Sequence, residues 1–292
     1  ASTSTWKTGM TEAPQTEFPS LRLLNRLARY RFMTVAQLIA TGAGKDRKHL
    51  GQVLRRLEGH KHAGMLAWGV RPGLGRLPRM YYLKPAGAAA LAAYFREEPA
   101  RYGPIARTPK FTVDHLHRRH CVDCHIALDA AMEAEGGSVA RYVAYYGGPG
   151  PWPGANGQAK ADPIKLRLAS GRALIPDAIC DLQRGDGRRQ LHALEMCMDR
   201  GGTDRARIVR QIESHCEAMS DGALSDALGL DRGYRLLCVF ENRPSLDAVR
   251  RRLADEGVGE NFARLILMNT HKRSRDDFAS GWVDAAGDPA PF

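Results

Sequence analysis

A chain of 292 residues, 43% hydrophobic and 26% charged, is long enough for two domains with separate cores and has the composition of a soluble globular protein. No apolar run approaches a membrane span and the N-terminal ASTSTWKTGM lacks the apolar core of a secretory signal, which argues against a membrane partner and for a cytoplasmic location. The net charge of +11 sits in front: residues 1–106 hold 17 Lys and Arg against 6 Asp and Glu, residues 107–292 hold 26 of each, and the split predicts a polyanion-binding front domain and a neutral rear one.

Residues 1–19 are polar, contain Pro14 and Pro19, and read as a flexible arm. Ser20 is a suitable N-cap for a first helix, LRLLNRLARY, with Leu21, Leu24, Leu27 and Tyr30 on one face. Thr34 caps a second helix, VAQLIATG, closed by Gly42. A third, roughly Lys45 to Glu58, buries Leu50, Val53, Leu54 and Leu57. It leaves Lys45, Arg47, Lys48, His49, Gln52, Arg55 and Arg56 largely outside that stripe. Strands at Met65–Val70 and Arg79–Leu83 then flank RPGLGRLP, a loop carrying Arg71 and Arg76.

Three helices followed by a strand, a basic loop and a strand is the order of a winged helix-turn-helix, here over residues 20–106. Gln52 and Arg56 of the third helix are placed to meet base edges, and Arg71, Arg76 and Arg79 of the wing to reach phosphate or a minor groove. The same order also serves protein contacts in other settings. The surplus of positive charge in this segment makes DNA the expected partner.

A helix at Ala86–Arg96 and a linker broken by Pro99, Pro104 and Pro109 close the front domain. The long helix that follows, Thr112 to Glu135, contains HLHRRHCVDCH. Its i, i+4 pairs, His117 with Cys121, His120 with Cys124 and Cys121 with His125, lie on different sides of one helix, and no second ligand pair of comparable density follows. No zinc is expected there. The six cysteines fall mostly in apolar helix or strand patterns and read as reduced thiols. Residues 140–162 start as a strand and run into a Gly- and Pro-rich loop, a substrate flap or surface slack. Ile164–Leu168 reads as a strand joined through ASGRA to the stretch from Ile175 to Gly202.

That stretch, IPDAICDLQRGDGRRQLHALEMCMDRGG, reads as two strands about a turn at Gly185–Gly187. Alternation points Glu195, Cys197 and Asp199 the same way, and sets Asp177 on the partner strand opposite them. Three carboxylates on one face repel, unless a divalent cation or a basic ligand lies between them, and hard oxygen donors suit Mg²⁺ or Mn²⁺. An edge strand with its acids in water is the other reading of the same pattern. Asp204–Met219 is a helix with Ile208, Val209, Ile212 and Cys216 inward and Arg205, Arg207, Arg210, Gln211 and His215 partly outward. A buried strand at Arg235–Phe240, a helix at Pro244–Glu256 and a strand at Arg264–Met268 complete an α/β sandwich with a mixed sheet over residues 107–270. Residues 271–292 read as a poorly ordered tail.

A basic winged helix, a hairpin opening on Pro-Asp and an acidic strand ending in Asp-Arg-Gly resembles the replication-relaxation family of plasmid and integrative-element proteins. Within that family it is most similar to mobilisation relaxases without a tyrosine nucleophile. The resemblance spans roughly residues 20 to 268 and is strongest at IPDAICDL and DRGGTDRARIVRQIESH. It implies a rear domain of the PD-(D/E)xK nuclease fold, in which an Asp after Pro and a Glu on the next strand ligate Mg²⁺ while a Lys two residues on orients the attacking water.

Carried onto this chain, the resemblance makes Asp177 and Glu195 metal ligands, with Asp199 a third or, in an alignment anchored on Asp-Arg-Gly, the principal acid of its strand. Cys197 stands at the lysine position, so either a base from the following helix, Arg207 or Arg210, substitutes for the cation or the domain is a weakened nuclease. Gln211 and His215 fall where many members carry Lys and Tyr. Tyr81, Tyr82, Tyr142, Tyr145 and Tyr146 lack the histidine triad of tyrosine relaxases and read as core or stacking residues. Two functions follow: a Mg²⁺- or Mn²⁺-dependent nickase acting at a plasmid or transfer origin, or a non-catalytic DNA-binding accessory protein on a nuclease scaffold. A homodimer is compatible with either.

Overall fold

The computed structural model describes residues 18–71, 73, 75–107, 109, 114–146, 165–199, 204–228 and 233–292. They form an α+β protein that divides into two units, one ending at Asp123 and the other running from Cys124 to Phe292. That division lies inside a helix rather than in the Pro-containing segment at 106/107.

The first unit opens with α1 (Pro19–Tyr30), α2 (Val35–Ala40) and α3 (Arg47–Gly59). Helix α1 begins on Pro19 at its first turn, where a missing N–H costs nothing, rather than on a Ser20 cap. It buries Leu23, Leu24, Leu27 and Tyr30, with Leu21 only partly covered. Helix α2 starts on a reciprocal cap: the Gln37 N–H donates to the Thr34 hydroxyl, and Gln37 Oε1 accepts the Thr34 N–H at 2.8 Å. The Gln37 amide nitrogen then donates to Asp123 at 2.8 Å, tying α2 to the end of this unit. Asp46 caps α3 through the N–H groups of Lys48 and His49.

Strand β1 (Ala63–Leu66) pairs antiparallel with β4 (Met80–Leu83), and the short β2 (Val70–Arg71) and β3 (Gly75–Arg76) pair with each other between them. An isolated bridge from Met33 to Tyr81 adds the α1–α2 connection to the β4 side. Helix α4 (Pro85–Phe95) follows, and Tyr81 and Tyr82 are core residues.

Helix α5 (His115–Ala134) leads into the second unit. Next come β5 (Ser138–Ala144), β6 (Leu166–Arg167), β7 (Ala173–Leu174), β8 (Ala178–Gln183) and β9 (Arg189–Cys197). The chain continues through α6 (Arg205–Ser220), α7 (Ala223–Leu228), β10 (Tyr234–Phe240), α8 (Arg243–Asp255), β11 (Ile266–Thr270), α9 (His271–Asp276) and β12 (Val283–Asp284). Six strands form one mixed sheet in the order β12-β11-β10-β9-β8-β5. β9, β10 and β11 are parallel, and the other pairings are antiparallel.

Because side chains alternate, Ile179, Leu191, Ala193, Cys197, Leu236, Cys238, Ile266 and Met268 share one face and pack with Ile208, Val209 and Ile212 of α6 and Leu246, Val249 and Leu253 of α8. His125 of α5 stacks on Tyr142 of β5 with ring centroids 3.6 Å apart, which places α5 on the other face.

Two expectations are corrected. Among the described residues β6 and β7 pair only with each other and stand apart from the main sheet, held to α6 instead by Arg172 on Glu217 at 2.7 Å. The segment after Thr270 is built in: β12 adds an edge strand, and Phe278, Trp282 and Phe292 are buried in mutual contact, with the Trp282 indole N–H donating to the Phe278 carbonyl at 2.6 Å. Three aromatic rings bury enough apolar surface to fix a short segment that has little periodicity. The Gly- and Pro-rich loop at 147–164 and residues 200–203, including Arg200, lie outside the described residues. No helix among the described residues is long and apolar enough to cross a membrane.

Candidate functional site

The β8–β9 hairpin sets the register on which the site depends. Ala178 pairs with Leu194, so Asp177, one residue before β8, stands across from Glu195. Both share a face with Cys197 and lie beneath α6. A cleft of about 220 Å³ opens there, lined by Ile175, Asp177, Glu195, Met196, Cys197, Arg207, Ile208, Gln211 and Ile212.

The two carboxylates are held differently. Asp177 accepts the backbone N–H of Met196 at 2.8 Å, a bond from the neighbouring strand that anchors it at the hairpin's open end. Glu195 is mostly buried, and its Oε1 takes two contacts: the Gln211 amide nitrogen at 3.1 Å and His215 Nε2 at 2.8 Å. His215 is fully buried, contrary to its expected partly outward position. Burial lowers its pKa to about 3 against the opposing charge of Asp177, so the ring is neutral and its Nε2–H donates to the carboxylate. On the far side of the ring, the Tyr234 hydroxyl lies 3.0 Å from Nδ1 and 3.1 Å from the His215 carbonyl oxygen.

Cys197 occupies the position of the expected lysine. Its thiol is buried in hydrogen-bond contact with Cys238 on the adjacent parallel strand, and that contact together with burial pushes its pKa well above the ordinary thiol value. It supplies no positive charge. Arg207 does stand at the cleft: it is exposed on the first turns of α6, with Asp204 at 3.8 Å. Arg210, also exposed, is not among the residues that line the cleft.

Asp199 is not brought into the cleft. β9 ends at Cys197, and beyond it the carboxylate turns to accept Arg205 Nε at 2.8 Å, the Ser245 hydroxyl at 3.2 Å and the Asp204 N–H at 3.4 Å. Burial opposes its ionisation, but these donors prevail and hold its carboxyl below the usual range. Asp199 therefore joins the start of α6 to α8. Of the expected site residues, Asp177, Glu195, Arg207 and Gln211 meet in one cleft, while Arg210 and Asp199 stand apart from it.

The sequence set His215 beside Gln211, where many family members carry Tyr, but faced it partly outward, and it did not single out Tyr234. The signal for His215 was present in the spacing: it is seven residues after Ile208 and three after Ile212, on the buried stripe of α6. Tyr234 opens a central strand that is apolar from Leu236 onward, and nothing in the sequence pairs it with His215.

In the first unit, Lys45, Arg47, Lys48, Gln52, Arg55 and Arg56 are all exposed, while Leu50, Leu54 and Leu57 form the buried stripe of α3. Arg76 on β3 and Arg79 before β4 are exposed as well. Arg71 is placed on β2, its side chain lying outside the described residues.

The sequence model of the replication-relaxation proteins matches residues 24–229, most of the chain and both units. Neither the curated proteins nor the solved structures searched contain a match. By that match over more than half its length, with the Pro-Asp hairpin and the start of α6 inside it, the chain belongs to the replication-relaxation family.

Proposed function

We propose that this protein nicks one strand of DNA in a metal-dependent step that serves replication or mobilisation of a plasmid or integrative element. The observation that carries the reading is the meeting of Asp177 and Glu195, from adjacent antiparallel strands, with Arg207 and Gln211 of α6 in a single cleft. The succession of α5, β5, β8, β9, α6 and β10, with an antiparallel trio followed by a parallel strand, supports kinship with the PD-(D/E)xK nucleases.

Two hard carboxylate donors fit Mg²⁺ or Mn²⁺, and Asp177 and Glu195 are the residues that would hold the ion. The chemistry such an ion supplies when bound is neutralisation of phosphoryl charge and acidification of water. The chain's own groups do the rest. Asp177 and Glu195 would hold the ion at the open end of the hairpin, and Gln211 steadies Glu195. Arg207 brings the positive charge that Cys197 lacks.

The first unit reads as a winged helix that positions the cut. Exposed Gln52 and Arg56 on α3 fit base edges in a major groove, and Lys45, Arg47, Lys48, Arg55, Arg76 and Arg79 fit phosphates along the same duplex. One observation favours a second reading, a DNA-binding accessory protein without catalysis: the lysine position holds a buried, neutral thiol.

The deciding experiment is a supercoiled plasmid carrying the cognate origin, incubated with protein and Mg²⁺ or Mn²⁺. Open-circle product that requires the metal and disappears with Asp177→Ala supports the nickase. Intact plasmid together with a salt-sensitive mobility shift that Asp177→Ala retains replaces it with the accessory reading.

A further inference from the structure

We propose that His215 and Tyr234 are positioning residues of this cleft, given its proposed role as a cation-dependent scission site: the imidazole, held between Glu195 and Tyr234, fixes the plane of the Glu195 carboxylate that meets the cation. A glutamate has three side-chain torsions, and one that must share an ion with Asp177 has to be held to a narrow range of orientations before the ion arrives. Gln211 alone cannot do this. Its amide is only partly buried, and it is 3.5 Å from the Ile175 carbonyl as well as 3.1 Å from Glu195.

The His215 ring differs in every respect. It has no exposed surface, its Nε2 is 2.8 Å from Glu195 Oε1, and its Nδ1 is 3.0 Å from the Tyr234 hydroxyl, so it is gripped along its long axis from both ends. Tyr234 is itself buried at the start of the central strand β10, which pairs with β9 from Leu191 onward. The clamp is thus anchored in the same sheet that carries Glu195. Carboxylates that ligate a metal are themselves held by hydrogen bonds from behind, and loss of such a partner typically weakens metal affinity about 10- to 100-fold.

The test is calorimetric titration of Mn²⁺ into the full chain without DNA, with a thermal melt of each sample. Wild-type protein binds Mn²⁺ and Asp177→Ala does not. His215→Leu weakens binding about 10- to 100-fold, Tyr234→Phe weakens it by a smaller factor, and His215→Gln, whose amide nitrogen reaches the place of Nε2, recovers part of the loss. If His215→Leu does not fold, Tyr234→Phe and His215→Gln carry the comparison. Wild-type Mn²⁺ affinity in Tyr234→Phe and the His215 variants, even with a lowered Tm, overturns the positioning role and leaves the cleft's role standing. Absence of Mn²⁺ binding by the wild-type chain overturns both.

Discussion

The two units place their polar groups in opposite ways. In the first unit the side chains proposed to contact DNA are exposed around α3 and the β3–β4 segment, on a scaffold whose buried stripe is Leu50, Leu54 and Leu57. In the second, the polar groups that matter are sunk into the sheet face: Glu195 and His215 are buried, and Asp177 is fixed by a main-chain bond. Long exposed cations keep their mobility and act additively through charge, which suits recognition of a regular polyanion. Buried carboxylates must be bonded one by one, and they lose their function when a single bond is misplaced. Residues of the first unit should therefore tune affinity by degrees, whereas those of the second should switch activity on or off.

The sharpest break between the units comes from Asp177→Asn, which keeps the shape of the side chain and the bond to Met196 but removes the charge. Nicking of supercoiled plasmid should fall by about 100-fold or more, since several kcal/mol of transition-state stabilisation are at stake and each ~1.4 kcal/mol is a decade. DNA affinity in a mobility shift should change by less than about twofold. If affinity collapses together with nicking, the division of labour is wrong.

The converse variants lie in α3. Arg56→Ala should cost about 1–3 kcal/mol of DNA affinity and relax preference at one base position, as expected for a guanidinium on a base edge. Lys48→Ala should weaken all sequences alike and lower the slope of log affinity against log salt by about one. Neither should alter the metal dependence of nicking. A sequence-independent loss from Arg56→Ala would instead make it a phosphate contact. A smaller effect separates Arg207 from Arg210 on α6: Arg207→Ala should slow nicking about tenfold and Arg207→Lys should retain most of it, with Arg210→Ala near wild type.

What could be read from the sequence follows from the same contrast. Period-2 alternation was enough to put Asp177 opposite Glu195, because the β8–β9 hairpin is regular from Ala178 to Gln183. Helical spacing likewise gave the buried and exposed sides of α3. Alternation misled at Asp199, because β9 stops at Cys197 and the chain then turns toward Arg205 and Ser245. The partly outward placement of His215 failed for a different reason: a histidine on an apolar stripe has two readings, and the one that applies depends on Tyr234, a tertiary partner 19 residues away. The same holds after Thr270, where Phe278, Trp282 and Phe292 find one another and no period announces it.

Acid stability supplies the mildest test, and it concerns a second buried histidine on β9. His192 points to the face opposite Glu195, with its ring 5.5 Å from that of Phe292, and has no exposed surface. Neither ring nitrogen completes a hydrogen bond among the described residues. Burial, together with the charges of Arg235 and Arg184, lowers its pKa from 6.5 to about 3, the nearby Gln190 main chain opposing this only in part. Between those values the unfolded chain takes up a proton that the folded chain refuses, so stability is complete above pH 6.5 and is lost as pH falls toward 3. His215, lowered in the same direction to about 3, adds to the loss. Thermal melts should therefore show a Tm that is level above about pH 7 and declines steadily below about pH 6. His192→Leu removes an imidazole whose ring nitrogens complete no hydrogen bond among the described residues, so it should leave Tm at neutral pH unchanged or raised, and it should flatten part of the acid decline while the share due to His215 persists. An acid decline identical to wild type in His192→Leu would mean that His192 accepts its proton in the folded state, and that the polar rows on the two sheet faces are less dry than their burial implies.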